Sequence, residues 1–161
     1  MPDDLHVRPC GPHDRWWLLR AGLDPEKIGS QYSWPEAPLQ LLIAPWRAAV
    51  CTRRRAALAE VDGRPAGYIG PNPLSKNLEY FLQPWARGGR GAALVEGYFR
   101  LFPARDVAER FFVSTKNGRS LRALERGLGA VGWSEGDQYV VTTARFGRYV
   151  VVGPGARPDP T

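Results

Sequence analysis

Lysine, cysteine, histidine and methionine are all scarce in this chain of 161 residues, with three, two, two and one copies. Two cysteines, Cys10 and Cys51, cannot build a disulfide framework or a Cys-rich zinc site. Buried, reduced thiols are the expectation for both. His6 and His13 have no second His, Cys or carboxylate at ligand spacing, so no metal is expected. No apolar run approaches the roughly 20 residues that span a bilayer, so no membrane partner is expected. Met1-Pro2-Asp3-Asp4 is acidic and carries no apolar signal-type stretch, which suggests a cytoplasmic protein.

What the chain does have is arginine. There are 22 basic residues, 19 of them Arg, against 16 acidic ones, for a net charge of +6. Hydrophobic residues make up 43%, enough to fold one domain, expected over residues 1–153 with a Pro-rich tail at 154–161. The charge is uneven. Between Pro84 and Leu128 stand nine basic and four acidic residues, leaving +1 for everything else. The preference for Arg over Lys, beside 18 Gly and 15 Pro, also matches the bias of a GC-rich coding sequence.

Periodicity and turn residues predict a strand at Leu5–Pro9 and a helix from Arg15 to Ala21 with Asp14 as its cap. A second helix is predicted from Pro35-Glu36 to about Val50, broken or bent near Pro45. Asp62-Gly63 between apolar runs predicts a hairpin of Ala56–Val61 with Arg64–Ile69. Further strands are expected at Leu78–Leu82, Arg110–Thr115, Gln138–Ala144 and Arg148–Val152. Amphipathic helices are expected from Ala92 to Phe102 and after Asn117. This order implies a mixed α/β fold with a partly antiparallel central sheet.

The segment with chemistry in it is Leu78–Phe102. A strand runs into Arg87-Gly88-Gly89-Arg90-Gly91 and then into a helix. Glycines let main chain approach a ligand closely. Consecutive N–H groups and the helix dipole then favour phosphate, and Arg87 and Arg90 add charge-assisted bonds. No Gly-Lys-Ser/Thr closes the loop, so it is not a P-loop, and the dinucleotide fingerprint is also absent.

A second constellation follows the next strand: Asn117-Gly118-Arg119-Ser120, then Leu124, then Gly129 to Trp133. Together the two segments resemble the GNAT superfamily of acyl-CoA N-acyltransferases, and the element order does so from about Leu5 to Val152. The resemblance implies a GNAT-like sheet flanked by about four helices. It implies acetyl-CoA or another acyl-CoA as co-substrate, with pyrophosphate held on main-chain N–H groups of Gly88 to Ala92. Arg87, Arg90 and Arg119 or Arg122 would neutralise phosphates. Leu82 and its neighbours would pair with the pantetheine arm, beside Asn117 and Ser120. Two registers fit the family's glycine turn. One uses Gly89 and Gly91, putting its Arg/Gln position on Ala86; the other starts on Arg87 and puts Arg90 and Ala92 at the glycine positions. The first is preferred, because a pinched turn replaces glycine less readily than a side chain.

The family's usual late-helix Tyr falls on Leu124, so the general acid is unassigned; Ser120 is retained as a candidate near the sulfur. Glu79 is the best-placed carboxylate for the base, directly or through water. Tyr80 points to the opposite face by strand alternation. Tyr32 and Trp34 lie where the fold places its acceptor pocket. Arg53-Arg54-Arg55 reads as a solvated run or a contact for an acidic partner. The expected acceptor is an amine on a small molecule or protein, and the chain a monomer or homodimer. Two other readings stay open: an acyl group delivered by a carrier protein or an aminoacyl group by tRNA, and a non-catalytic CoA-binding module.

Overall fold

Alternation along the middle strands sends Leu58, Tyr68 and Phe81 to one face of the sheet, and Ala57, Ile69, Leu78 and Leu82 to the other. The computed structural model describes residues 4–25, 36–73, 77–103, 110–115, 117–132, 138–143 and 147–152. Its strands are β1 (Leu5–Pro9), β2 (Ala57–Val61), β3 (Arg64–Pro71), β4 (Leu78–Leu82), β5 (Phe111–Ser114), β6 (Gln138–Thr143) and β7 (Gly147–Val152). Its helices are α1 (Asp14–Gly22), α2 (Glu36–Val50), α3 (Arg90–Leu101) and α4 (Gly118–Gly129). The strand order is β1-β2-β3-β4-β5-β7-β6. Every neighbouring pair is antiparallel except β4 and β5. The mixed, partly antiparallel sheet with helices on its faces is therefore as expected.

Each face has its own core. Leu18 and Ala21 of α1 and Ala48 of α2 pack on Leu58, Tyr68 and Phe81. Leu94, Val95, Tyr98 and Phe99 of α3, with Leu124 and Leu128 of α4, pack on the other face. This second core is the larger, and it ties α3 and α4 to both halves of the sheet.

Three local expectations change. Helix α2 runs through Pro45 without a break. Proline removes the bond that the Leu41 carbonyl would accept, but Leu41 is exposed, so water can supply a donor. Helix α3 starts at Arg90, two residues before the expected Ala92. Asp14 is not the cap of α1 but its first residue, and it is buried. Its carboxylate reaches back to accept from the Gly11 N–H (2.7 Å) and from Arg8 Nη1 and Nη2 (2.8 Å each).

Burial opposes ionisation of Asp14, but the Arg8 guanidinium and the Gly11 N–H outweigh it, and the carboxyl is held below the usual range. A lowered folded pKa contributes stability above the unfolded value, near 3.9, and that stability is lost as pH falls through the folded value. Asp14→Asn should therefore cost about 2 kcal/mol at neutral pH. Urea unfolding of both forms should show the gap closing as pH drops below about 4. A gap of constant size would contradict the ion-pair account.

The thiols of Cys10 and Cys51 are free and belong to the α1 side of the core. Burial pushes both thiols up, which keeps them protonated.

Candidate active site

The parallel strands β4 and β5 are paired among the described residues at one register position only, Leu78 opposite Phe111. There the Leu78 N–H donates to the Arg110 carbonyl (2.8 Å). On its other side β4 stays paired with β3 over its whole length, from Leu78 to Leu82. The sheet therefore opens into a wedge beyond Leu78. Tyr80 and Leu82 share Leu78's orientation, so their main-chain groups face that wedge. A strand edge of this kind offers N–H and C=O groups to an extended, amide-containing ligand.

At the end of β4 a 3₁₀ turn, Pro84–Ala86, leads to the glycine loop. Gly88 and Gly89 have φ of +90° and +92°. A Cβ at Gly89 would meet nothing within 4 Å, so the requirement for glycine there is conformational and not spatial. Gly89 caps α3 without a side chain, which leaves the first-turn N–H groups for another acceptor. These N–H groups and the positive end of the helix dipole lie at the mouth of the wedge, an arrangement that suits an anion. Gly91 lies inside α3. A Cβ there would stand 3.1 Å from Ala123 Cβ, so Gly91 serves the approach of α3 to α4.

The two loop arginines divide the work differently from expectation. Arg90 is a brace. Its Nη1 donates to the Arg87 carbonyl (3.0 Å) and the Ala86 carbonyl (3.4 Å), and its Nε and Nη2 hold the Asp4 carboxylate (3.0 and 2.7 Å). Arg87 folds back so that Nε reaches the Leu82 carbonyl (3.5 Å). Its Nη2 is buried and has no hydrogen-bond partner among the described residues. An unpaired buried donor is costly, and an anion or carbonyl entering the wedge would relieve it. Ala86 is fully buried with Val61 and Ala66, a core residue and not a ligand. Arg119 and Arg122 are exposed at the start of α4.

Across the wedge, Asn117 caps α4 as expected, its Oδ1 accepting from the Ser120 N–H (3.1 Å). The Ser120 hydroxyl lies 2.9 Å from the Tyr80 hydroxyl. The Tyr80 ring stands edge-on to Phe111 at 6.0 Å between centroids. Burial raises the Tyr80 phenol, and the Ser120 bond offsets this in part. Alternation placed Tyr80 on this face but did not mark it as a site residue; its partner on α4 was invisible before the helix was docked. Leu124 is fully buried core.

Glu79 faces the other side of β4. Its Oε1 is held by Arg47 Nε, and its Oε2 accepts from Asn72 Nδ2 (2.9 Å). Arg47 is 3% exposed, and its Nη2 also donates to the side-chain Oε1 of Gln40 (3.2 Å). Glu79 is thus not an isolated base but the half-buried partner of the buried Arg47 in an ion pair. Sequence reasoning missed Arg47. The available signal was its solitude, as the one cation in a largely apolar helix. Tyr32 and Trp34 lie outside the described residues. Of the Arg53–Arg55 run, Arg55 is taken up internally, donating to the Pro103 carbonyl (2.6 Å). Among the described residues no group of three or more His, Cys, Asp or Glu side chains is placed to hold a metal. No helix among them is long and apolar enough to cross a membrane.

A sheet splayed between two parallel strands, with a glycine turn and a helix N-terminus at its mouth, defines an α/β architecture open along one strand edge. Solved structures place it more closely: the chain has the fold of the GNAT acetyltransferases. It is similar to the aminoglycoside acetyltransferase AAC(6')-Ib in complex with ribostamycin and coenzyme A, with 21% identity, 96% of each chain covered and a TM-score of 0.63. It is also similar to YncA, a putative acetyltransferase from Salmonella typhimurium with acetyl-CoA, at 13% identity, 99% and 98% coverage and a TM-score of 0.57. A spermidine N-acetyltransferase chimera containing Vibrio cholerae SpeG matches at 12% identity, 92% and 93% coverage and a TM-score of 0.55. No protein-family model matches the chain. No curated protein matches it in sequence.

Proposed function

We propose that this protein transfers an acyl group, most simply acetyl, from an acyl-CoA to an amine by direct attack. The observation that carries the reading is the β4–β5 wedge opening onto left-handed Gly88-Gly89 and the uncapped start of α3. A CoA thioester has the matching parts: a pyrophosphate for the helix N-terminus and an amide-bearing arm for a strand edge. Neighbours of the same fold whose structures contain coenzyme A or acetyl-CoA support it.

In this reading the pyrophosphate rests on N–H groups from Gly88 to Ala92. Arg87 supplies charge from below the loop, while Arg90 holds the loop's carbonyls away from it. The Tyr80 and Leu82 main chain pairs with the pantetheine amides, and Asn117 and Ser120 line the α4 side. The amine approaches from the Glu79 face, and its nitrogen forms a bond to the thioester carbonyl carbon. The C–S bond then breaks, and the thiolate, whose thiol has a pKa near 8.5, leaves readily. Glu79 takes the amine proton through water, held in place by Arg47 and Asn72. The acceptor is an amine-bearing small molecule or protein, as the ribostamycin-bound and spermidine-acetylating neighbours support.

The test is thermal unfolding with CoA and acetyl-CoA. Ligand at 100 times its Kd should stabilise by about 2.7 kcal/mol, a rise of roughly 5–11 °C for a chain of this size. Gly89→Val should remove the rise, because valine does not adopt the required φ. Asp4→Asn should strengthen it, by releasing Arg90 from its carboxylate. A melting temperature unmoved by either ligand at millimolar concentration would sink the reading.

A further inference from the structure

Helices α1 and α2 lie side by side and antiparallel: Arg15 Nη2 donates to Thr52 Oγ1 (2.7 Å) at one end, and a Cβ on Gly22 would stand 2.7 Å from Ala44 Cβ at the other. Both bury their inner sides on the sheet. Their outer sides therefore make one two-helix-wide surface, and that surface is apolar where solvent would favour polar groups. Leu39, Leu42 and Trp46 follow i, i+3, i+7 spacing along α2 and are 44%, 76% and 45% exposed, and Trp16 of α1 is 69% exposed. Trp16 projects from the outer side of α1, beside its exposed neighbour Arg15.

Among the described side chains, the exposed charges on this surface have one sign. The exposed charged side chains described in α1, α2 and the following turn Cys51–Arg53 are Arg15, Arg20 and Arg53. The remaining described charges of these segments are consumed inside: Asp14 on Arg8 and Arg47 on Glu79. Tryptophan and leucine framed by arginine is the composition of a surface that lies in the headgroup region of a membrane. A second copy of the chain fits worse. Facing copies would set Arg15, Arg20 and Arg53 against the same cations, in a protein already carrying +6.

We propose that the outer face of the α1–α2 pair docks on anionic lipid bilayers. Trp16, Leu42 and Trp46 enter the interface, and Arg15, Arg20 and Arg53 meet lipid phosphates. The protein would lie on the membrane without crossing it.

The full chain should co-sediment with vesicles of phosphatidylcholine mixed with phosphatidylglycerol. It should do so poorly with phosphatidylcholine alone, and added salt should weaken binding. Leu42→Ser should weaken binding at least about tenfold, by removing a leucine from the apolar phase. Arg53→Gln should weaken it about fivefold. Leu101→Ser, an exposed leucine on α3, should leave it unchanged. All three changes are at exposed positions, and their melting temperatures report whether folding is intact. No binding to phosphatidylglycerol vesicles, or an equal loss with Leu101→Ser, overturns the proposal. So does self-association that Leu42→Ser abolishes, because the occupant is then a second copy.

Discussion

Gly127→Val is expected to weaken donor binding and to lower the melting temperature more than any surface change. A Cβ at Gly127 would stand 2.6 Å from the Ala92 carbonyl oxygen and 2.7 Å from Val95 Cβ. The first of these is main chain in the opening turn of α3 and cannot swing aside as a flexible side chain does. Helix α4 must then move off α3. Overpacking of this kind costs about 1–3 kcal/mol for small insertions, and a branched side chain against a carbonyl stands at the upper end. That corresponds to a fall of roughly 6–12 °C at this chain length. The displaced turn is the one whose N–H groups would hold pyrophosphate, so CoA affinity should fall even at temperatures where the variant stays folded. Gly127→Ala should show the same effects in smaller measure. Thermal unfolding with and without CoA measures both. A Gly127→Val protein that binds CoA normally would mean that α3 and α4 do not set the loop.

The second large effect is expected at Arg47. Arg47→Met keeps the length and most of the volume but leaves the half-buried Glu79 carboxylate without its cation. Removing one partner of a buried ion pair costs about 3–5 kcal/mol, mostly the penalty of the charge left behind. The melting temperature should fall by roughly 6–20 °C. The double variant Arg47→Met, Glu79→Gln should recover much of that loss, because the orphaned charge goes with it. Its turnover should stay low even when its stability returns, since Glu79 is the proposed proton acceptor. Full turnover in the stable double variant would reduce Glu79 to a structural role. A loss under 1 kcal/mol in Arg47→Met would mean that water reaches Glu79 freely.

Much of the fold was legible because its signals are local. Asp62-Gly63 marks the β2–β3 hairpin, with Asp62 at φ +49° and Gly63 at +70°, as a two-residue turn demands. Asn117 announces α4, and its side chain makes the capping bond. The glycine loop announced the left-handed turn that leads into α3. What stayed hidden depends on pairs distant in sequence. Asp14 looked like a cap because its partner Arg8 comes from a strand. Arg90 looked like a phosphate ligand because Asp4, 86 residues away, is not adjacent until β1 packs beside α3. Glu79 was marked by its position on β4, but its ion pair with Arg47 needed the docking of α2. The wedge itself is a failure of two strands to pair, and no single residue encodes that.

The central claim is that the β4–β5 wedge and the Gly88–Ala92 turn hold an acyl-CoA. Amide chemical-shift mapping of the isotope-labelled chain on titration with CoA tests it residue by residue. Shifts should concentrate at Tyr80 and Leu82, from Gly88 to Ala92, and at Asn117 to Ser120, with Arg90 and Asp4 moving together. The outer residues of α1 and α2 should stay still. Saturable binding with shifts elsewhere, or a spectrum that does not change at millimolar CoA, would contradict it.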